Sequence, residues 1–372
     1  MEAIGIIPGA GQPHLVQRRE PDVEAEDEIK IRIRRVGICG TDREEARGGR
    51  ASPPEGQSDL VIGHEMFGEV VEVGTAVTRV RCGDYAVFTV RRPCGRCLPC
   101  ALQRPDMCLT GDYRERGIKG LDGYQASFVV DREAYVVRVP PELEGLGVLC
   151  EPLSVAEKAI NEAVRIQTAR LPETESRPVW LYGRHCLVVG LGPIGLLAAL
   201  ILRLRGAVVY GLDVVDCDTV RPQWLHVIGG QYVDGRAVPP DKIDDAVGPV
   251  ELIVEAAGVT SLDFNLLDAL DFNGLYVLTG IPNGDRPIDI PGARLMRQLV
   301  LRNQLMLGSV NAARDHFQMG VDDLVQAQAR WSDHVLRLIT HRHPHTDFPD
   351  ALLHNPPGEI KAVLEWTTGT PP

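Results

Sequence analysis

The chain lacks a cationic surplus. Its 372 residues carry 39 Lys+Arg against 51 Asp+Glu, a formal net charge of −12. No basic excess exists to displace counterions from a phosphate backbone, so broad nucleic-acid binding is not expected. An unbroken apolar run of membrane-spanning length is also missing. The longest uncharged apolar stretch, Cys186–Leu202, contains Gly190, Gly192, Pro193 and Gly195, which suit a strand, a turn and a helix rather than one continuous helix. Met1-Glu2-Ala3-Ile4 has neither the cationic start nor the apolar core of a secretory signal, and a cytoplasmic protein with no membrane partner is the expectation. Internal repeats and low-complexity segments are absent. So is an even cysteine count: nine cysteines without a secretory signal argue against a disulfide framework and for metal or reactive-thiol roles. What remains is a globular composition, 44% hydrophobic and 24% charged, with length for two domains.

The first third reads as short β-rich runs, among them Glu28–Val36, Gly68–Val73, Asp84–Val90 and Tyr124–Val130, interrupted by Gly, Pro and Asp. Beyond Leu149 the pattern changes. Glu151-Pro152-Leu153-Ser154 opens an amphipathic stretch to about Ile166, and the polar segment Gln167–Arg177 reads as a loop. The apolar runs Cys186–Val189, Ala207–Asp213, Leu252–Glu255 and Gly274–Thr279 then alternate with helical segments, the signature of a parallel βαβ sheet. A helix around His316–Trp331 and a strand at Glu359–Trp366 complete the chain. The expected fold class is α/β, with a β-rich domain at 1–154, a nucleotide-type doubly wound domain at 155–315, and residues 316–372 returning to the first.

Strand Cys186–Val189 runs into Gly190-Leu191-Gly192-Pro193-Ile194-Gly195 and then helix-like Leu196–Arg205. A bare G-x-G-x-x-G is common, but these flanks meet its physical requirements. The first glycine permits the tight turn, the second lets backbone approach a pyrophosphate, and the third lets helix pack on strand. Asp213 ends the next strand eighteen residues past Gly195. An acid there accepts hydrogen bonds from an adenosine ribose and repels a 2′-phosphate. Val214 and Val215 supply no guanidinium. NAD is therefore expected over NADP.

Cys94, Cys97, Cys100 and Cys108 lie within fifteen residues, with Pro93, Gly95 and Pro99 to turn the backbone. Four thiolates suffice for a closed tetrahedral zinc site, whose role would be structural; an iron–sulfur cluster has similar ligands but finds no electron-transfer partner feature here. A second set is dispersed: Cys39 and Asp42, His64-Glu65, and Glu151 after Cys150. Mixed sulfur, nitrogen and oxygen ligands with an open position are what a catalytic zinc needs. From spacing alone this set is poor evidence, since a His beside a Glu is ordinarily structural. Cys82, Cys186 and Cys217 show no ligand spacing and read as ordinary small residues.

Taken in order, Gly37-Ile38-Cys39-Gly40-Thr41-Asp42, Gly63-His64-Glu65, the four-cysteine lobe at about 94–108 and Gly190–Gly195 resemble the medium-chain zinc-dependent alcohol dehydrogenase superfamily. The chain looks most like its microbial glucose 1-dehydrogenases through Thr89-Val90-Arg91-Arg92-Pro93, Tyr113–Ile118, Glu151-Pro152-Leu153-Ser154 and Leu307-Gly308-Ser309-Val310-Asn311-Ala312 followed by His316-Phe317. The resemblance implies a GroES-like catalytic domain joined to a Rossmann domain, with the active site in the cleft between them. It implies two zinc ions per chain. Cys39 and His64 would bind the catalytic one, Glu65 and Glu151 would complete or exchange in its shell, and Asp42 would orient His64. Cys150 rivals Glu151 by position, but adjacent side chains of an extended segment point apart and the Glu-Pro-Leu register favours Glu151. Thr41 would relay the substrate proton, and Glu115 and Asn311 resemble residues that hold sugar hydroxyls.

The implied reaction is oxidation of an aldose C1 hydroxyl to a lactone. Hydride would pass to a nicotinamide positioned by Ala257-Gly258 and Gly280-Ile281-Pro282, which read equally as strand-end turns. Asp213-Val214-Val215-Asp216 stands where many relatives carry arginines for NADP, so NAD is preferred and NADP remains possible. Two other readings stay open: a zinc dehydrogenase of polyols or other secondary alcohols, and a non-catalytic zinc-stabilised nucleotide- or nucleic-acid-binding protein. The ligand residues disfavour a metal-free quinone reductase of the same superfamily. Family resemblance further implies a homodimer or homotetramer.

Overall fold

In the strand Glu28–Ile38, Ile29, Ile31 and Ile33 recur at every second position and are fully buried, because successive side chains of a strand point to opposite faces. The structure, a computed structural model, describes residues 1–10, 12–49, 51–172, 180–239, 242–260, 264–282 and 287–366. It divides into two units: Met1–Ser154 with Asn311–Val325 and Val335–Pro372, and Val155–Val310 with Gln326–His334. Helix Arg314–Trp331, expected from about His316, therefore changes unit near its middle.

In the first unit Glu28–Ile38 lies inside a seven-stranded sheet in the order Val136–Val139, Tyr85–Phe88, Glu65–Val73, Glu28–Ile38, Lys361–Glu365, Ile339–Pro344, with Phe128–Arg132 also paired to it. The isoleucines pack with Phe88, Tyr124, Leu364 and Trp366 into one core. Antiparallel pairing places Gly37 opposite Glu65 on one side and Ala362 opposite Ile38 on the other. That register matters for the site.

In the second unit six parallel strands run in the order Gln231–Asp234, Val208–Asp213, His185–Val189, Val250–Glu255, Leu270–Leu278, Leu305–Gly308. In chain order this is 3-2-1-4-5-6, the doubly wound dinucleotide-binding arrangement. The apolar run Cys186–Leu202 resolves into strand His185–Val189 and helix Pro193–Leu204. The central strands are buried on both faces, as their unbroken Val/Ile/Leu sequences require.

Two expectations need correction. The segment from Gln167 is helical as far as Arg170, within helix Cys150–Arg170. Gln167 is buried and donates Nε2 to the carbonyl of Asn273 at 2.8 Å; a buried amide that finds its partner lets the helix continue. Residues 173–177 of the expected loop lie outside the described residues. The same helix begins at Cys150, so Cys150 and Glu151 are not in an extended segment. Among the described residues no helix is long and apolar enough to cross a membrane.

Candidate active site

Each of the four lobe cysteines brings its sulfur within 4.8 Å of the others. None is in a disulfide. The Cys97 and Cys108 sulfurs are 3.9 Å apart, close to the roughly 3.8 Å edge of a tetrahedron with zinc–sulfur bonds of about 2.3 Å. The surroundings sort the thiols. Hydrogen bonds from the Thr110 hydroxyl and the backbone N–H of Arg96 and Cys97 bring Cys94 down to about 5, while burial pushes Cys100 up to about 12.

The second cluster is built by the local sequence Gly37–Asp42 and the strand beside it. Cys39 caps the short helix Gly40–Glu45: its sulfur accepts from the Thr41 N–H at 3.2 Å, and Asp42 Oδ2 accepts from the Cys39 N–H at 2.9 Å, a capping box with sulfur in place of a hydroxyl. Asp42 Oδ1 then faces His64 Nδ1 at 3.5 Å, leaving His64 Nε2 at 3.1 Å from Cys39 Sγ. The Gly37–Glu65 register brings these two pieces of chain together. A Cβ at Gly37 would fall 2.0 Å from Glu65 Oε2, so any larger residue there would displace that carboxylate. Donor atoms of Cys39, His64 and Glu65 lie within 4.8 Å of one another. A sulfur, an imidazole nitrogen and a carboxylate oxygen, with Asp42 on the far imidazole nitrogen, suit zinc and its outer support.

Sequence reasoning missed Lys361. It enters from the neighbouring strand, fully buried, ion-paired with Glu65 Oε2 and donating to the Ile38 carbonyl at 3.0 Å. A lone lysine opening an apolar strand gives no sequence signal of this pairing across the sheet. Charge balance in the pocket follows. Burial alone would lower the His64 pKa, but the charges of Cys39 and Asp42 outweigh it and hold His64 well above its ordinary value. Burial likewise opposes Lys361, and Glu65 reverses the direction. Burial pushes the Glu151 carboxyl up to about 7, with Glu65 adding to it and His64 opposing. Glu151 is buried within electrostatic range of the cluster without being one of the three converging donors. Burial pushes the neighbouring Cys150 thiol up to about 12.

Glu115 and Asn311, 196 residues apart, meet directly: Asn311 Nδ2 donates to Glu115 Oε1 at 3.0 Å. Asn311 has φ +59°, and its Oδ1 accepts from the Ala312 N–H at 2.8 Å, the local bonding that lets asparagine occupy the left-handed region.

In the second unit the Gly-rich turn joins strand to helix as its spacing requires. A Cβ at Gly195 would fall 1.8 Å from the Gly190 carbonyl oxygen. Pro193 and Ile194 open the helix. Asp213 ends its strand with Oδ2 accepting from the Leu191 N–H at 2.8 Å and Oδ1 from the Val214 N–H at 2.7 Å. Ala257 and Gly258 donate backbone N–H to Glu255 Oε1, both at 2.6 Å, and Gly280 and Ile281 pack closely against Gly258. Two arginines absent from the segment after Asp213 arrive from elsewhere. Arg221 Nη1 is 3.8 Å from Asp213 Oδ2, and Arg236 donates to Asp216 Oδ1 at 2.7 Å.

The alcohol dehydrogenase GroES-like domain model matches residues 25–141, and the glucose dehydrogenase C-terminus model matches 144–366. With a dinucleotide sheet and a Cys–His–Glu cluster, these define a zinc-dependent alcohol dehydrogenase. The glucose 1-dehydrogenase of Methanocella arvoryzae is 36% identical over 343 residues, covering 92% of this chain and 93% of that protein. That of Thermoproteus tenax is 34% identical over 373 residues, covering 99% and 100%. The solved Haloferax mediterranei glucose dehydrogenase in complex with NADP, Zn and gluconolactone superposes with a TM-score of 0.88 at 32% identity, covering 99% of this chain and 100% of that one. The chain belongs to the glucose dehydrogenase family of the zinc-dependent alcohol dehydrogenases, and it is an oxidoreductase of that family.

Proposed function

We propose that this protein oxidises an aldose of the glucose type at C1 to the lactone, passing hydride to NAD in preference to NADP. The observation that carries the reading is the convergence of Cys39, His64 and Glu65 in the same unit as the hydrogen-bonded pair Glu115 and Asn311. The named ligands of the Haloferax relative, NADP, Zn and gluconolactone, support it.

Cys39, His64 and Glu65 would hold the catalytic zinc, with Glu151, within electrostatic range of the cluster, the candidate to exchange into its shell, and Cys94, Cys97, Cys100 and Cys108 would hold a structural one. A zinc ion so held supplies Lewis acidity that lowers the pKa of a hydroxyl bound to it. Asp42 keeps the His64 ring oriented, and Lys361 draws one Glu65 oxygen aside. The Thr41 hydroxyl would carry the substrate proton outward. Glu115 would accept from a sugar hydroxyl and Asn311 would position it, a preference for polyhydroxy substrates because absent hydroxyls strand buried polar groups.

Gly190, Gly192 and Gly195 would admit the pyrophosphate against the helix starting at Pro193 and Ile194. Asp213 would take the ribose, and Ala257, Gly258, Gly280 and Ile281 would flank the nicotinamide. Asp213 supports NAD; Arg221 and Arg236 nearby supply the cationic surroundings through which NADP would also be used. Self-association into dimers or tetramers is part of the same reading, supported by the exposed apolar side chains Met296, Val300 and Leu301 on helix Gly292–Leu301.

The test is reduced-nicotinamide formation with glucose, galactose, xylose, sorbitol and ethanol, with NAD and NADP in parallel, before and after chelation. Chelator-sensitive aldose oxidation with a higher kcat/KM for NAD is expected. Turnover of sorbitol or ethanol alone would overturn the sugar assignment.

A further inference from the structure

Arg91 has no role in the reading above, yet its guanidinium is buried against the groups that the reading assigns to the sugar. It is 5% exposed. Strand Arg91–Arg92 pairs antiparallel with Arg114–Arg116 so that Arg91 lies directly opposite Glu115. Nε and Nη2 both donate to Glu115 Oε1, at 3.0 and 2.8 Å, and Asn311 Nδ2 donates to the same oxygen at 3.0 Å. Among the described residues Glu115 Oε2 receives no donor. The remaining Arg91 nitrogen, Nη1, donates to the Asp106 carbonyl at 3.2 Å, and the guanidinium carbon lies 3.7 Å from the centre of the Tyr113 ring. Asp106 belongs to the turn Pro105–Met107, between Cys100 and Cys108 of the four-cysteine lobe.

This geometry is asymmetric. Three donors converge on one carboxylate oxygen and none on the other, so the side chain is fixed while one acceptor stays free. The cation also offsets the charge of Glu115, which suits a neutral polyol: a buried carboxylate without its cation would be strongly destabilised. We infer that Arg91 is a positioning residue for sugar binding, aiming the free oxygen of Glu115 at a substrate hydroxyl, and that it takes its own position from the four-cysteine lobe through the Asp106 carbonyl. The lobe then does more than stabilise the fold, since it sets one wall of the substrate site. This inference rests on the proposed role of Glu115 and Asn311.

The test uses the full-length protein with both zinc sites loaded, in wild type, Arg91→Lys and Arg91→Met. Lysine keeps the charge but not the fork or the stacking on Tyr113; methionine keeps apolar bulk alone. Lost charge-assisted hydrogen bonds predict a glucose KM raised roughly 10- to 100-fold, with kcat within about threefold and cofactor KM unchanged. Gluconolactone affinity by calorimetry should weaken in parallel. Across 2-, 3- and 4-deoxyglucose the penalty should vanish for the sugar lacking the hydroxyl that Glu115 holds. An equal loss for every sugar, or an unchanged glucose KM with normal unfolding and zinc content, would overturn the role of Arg91 alone. If Arg91→Met does not fold, Arg91→Lys decides by the same criteria. A wild type that oxidises no aldose overturns the functional reading and this inference with it.

Discussion

The two donor clusters, in the same unit, are built on opposite principles. The lobe takes all four ligands from fifteen consecutive residues. Its charges are settled by nearby hydroxyl and backbone N–H groups, and the apolar side chains around it, Leu98, Leu102 and Leu109, face solvent. The Cys39 cluster collects its groups from three strands and a helix cap, separated by as many as 322 positions, between Cys39 and Lys361. Here every donor has a neighbour holding it, charged for two of the three: Asp42 on His64, Lys361 on Glu65, and the Thr41 backbone N–H on Cys39. Four sulfurs close a coordination sphere and leave nothing for chemistry; three mixed donors leave a position open. A site that closes fully around its ion can be written locally, whereas one that must present it to a substrate depends on tertiary structure.

That contrast can be broken from either end. The largest effect is expected for His64→Ala: activity should fall by roughly 10³-fold or more, because the metal's contribution to the barrier is lost. Metal analysis should show one equivalent gone while unfolding stays cooperative. Retention of both equivalents would contradict the assignment. Cys100→Ser should do the reverse, lowering the melting temperature by roughly 10 °C or more for the loss of several kcal/mol of metal-linked stability. The kcat of the protein that remains folded should stay within a few-fold.

The smallest effect concerns a buried charge cluster that holds no metal donors, Asp131 with Arg92 and Arg116. Arg92 and Arg116 donate to Asp131 Oδ2, Arg92 at 2.6 Å. Burial alone would raise the carboxyl, but the two guanidinium charges outweigh it and hold Asp131 far below the usual carboxylate range. A folded pKa below the unfolded one means the stabilisation is complete above about pH 4 and is lost as the pH falls through and below it. Asp131→Asn should cost about 3 kcal/mol near neutrality. Its melting temperature should also fall less than that of wild type between pH 5 and pH 3; parallel curves would rule the ion pairs out as the cause.

Legibility in the sequence followed the same division. The lobe could be read from spacing, and the Gly-rich turn from its flanks, since a strand, three glycines and a helix are all local requirements. Cys39, Asp42 and His64 were visible only through the company they keep, because no periodicity announces the Gly37–Glu65 register. Lys361, Arg91, Arg221 and Arg236 could not be found that way. Each acts through a partner brought near by sheet pairing or by the next turn of the chain, and a charged residue in a strand looks the same whether it meets water or a buried carboxylate. Gln167 misled for a related reason: a polar residue signals a loop until the fold supplies an acceptor such as the Asn273 carbonyl.

Asp213 limits how the coenzyme site can be redesigned. Both of its oxygens already accept backbone N–H groups, one from Leu191 inside the Gly-rich turn and one from Val214. Replacing it to remove repulsion toward a phosphorylated ribose would also unfasten the Gly-rich turn proposed above for the pyrophosphate. Selectivity and loop rigidity are thus inherited together, and a library that varies position 213 alone will sample both at once. Arg236 pairs with Asp216 and Asp234 rather than with Asp213, so substitutions there leave that brace intact, whereas Arg221 pairs with the same Asp213 oxygen that holds the turn.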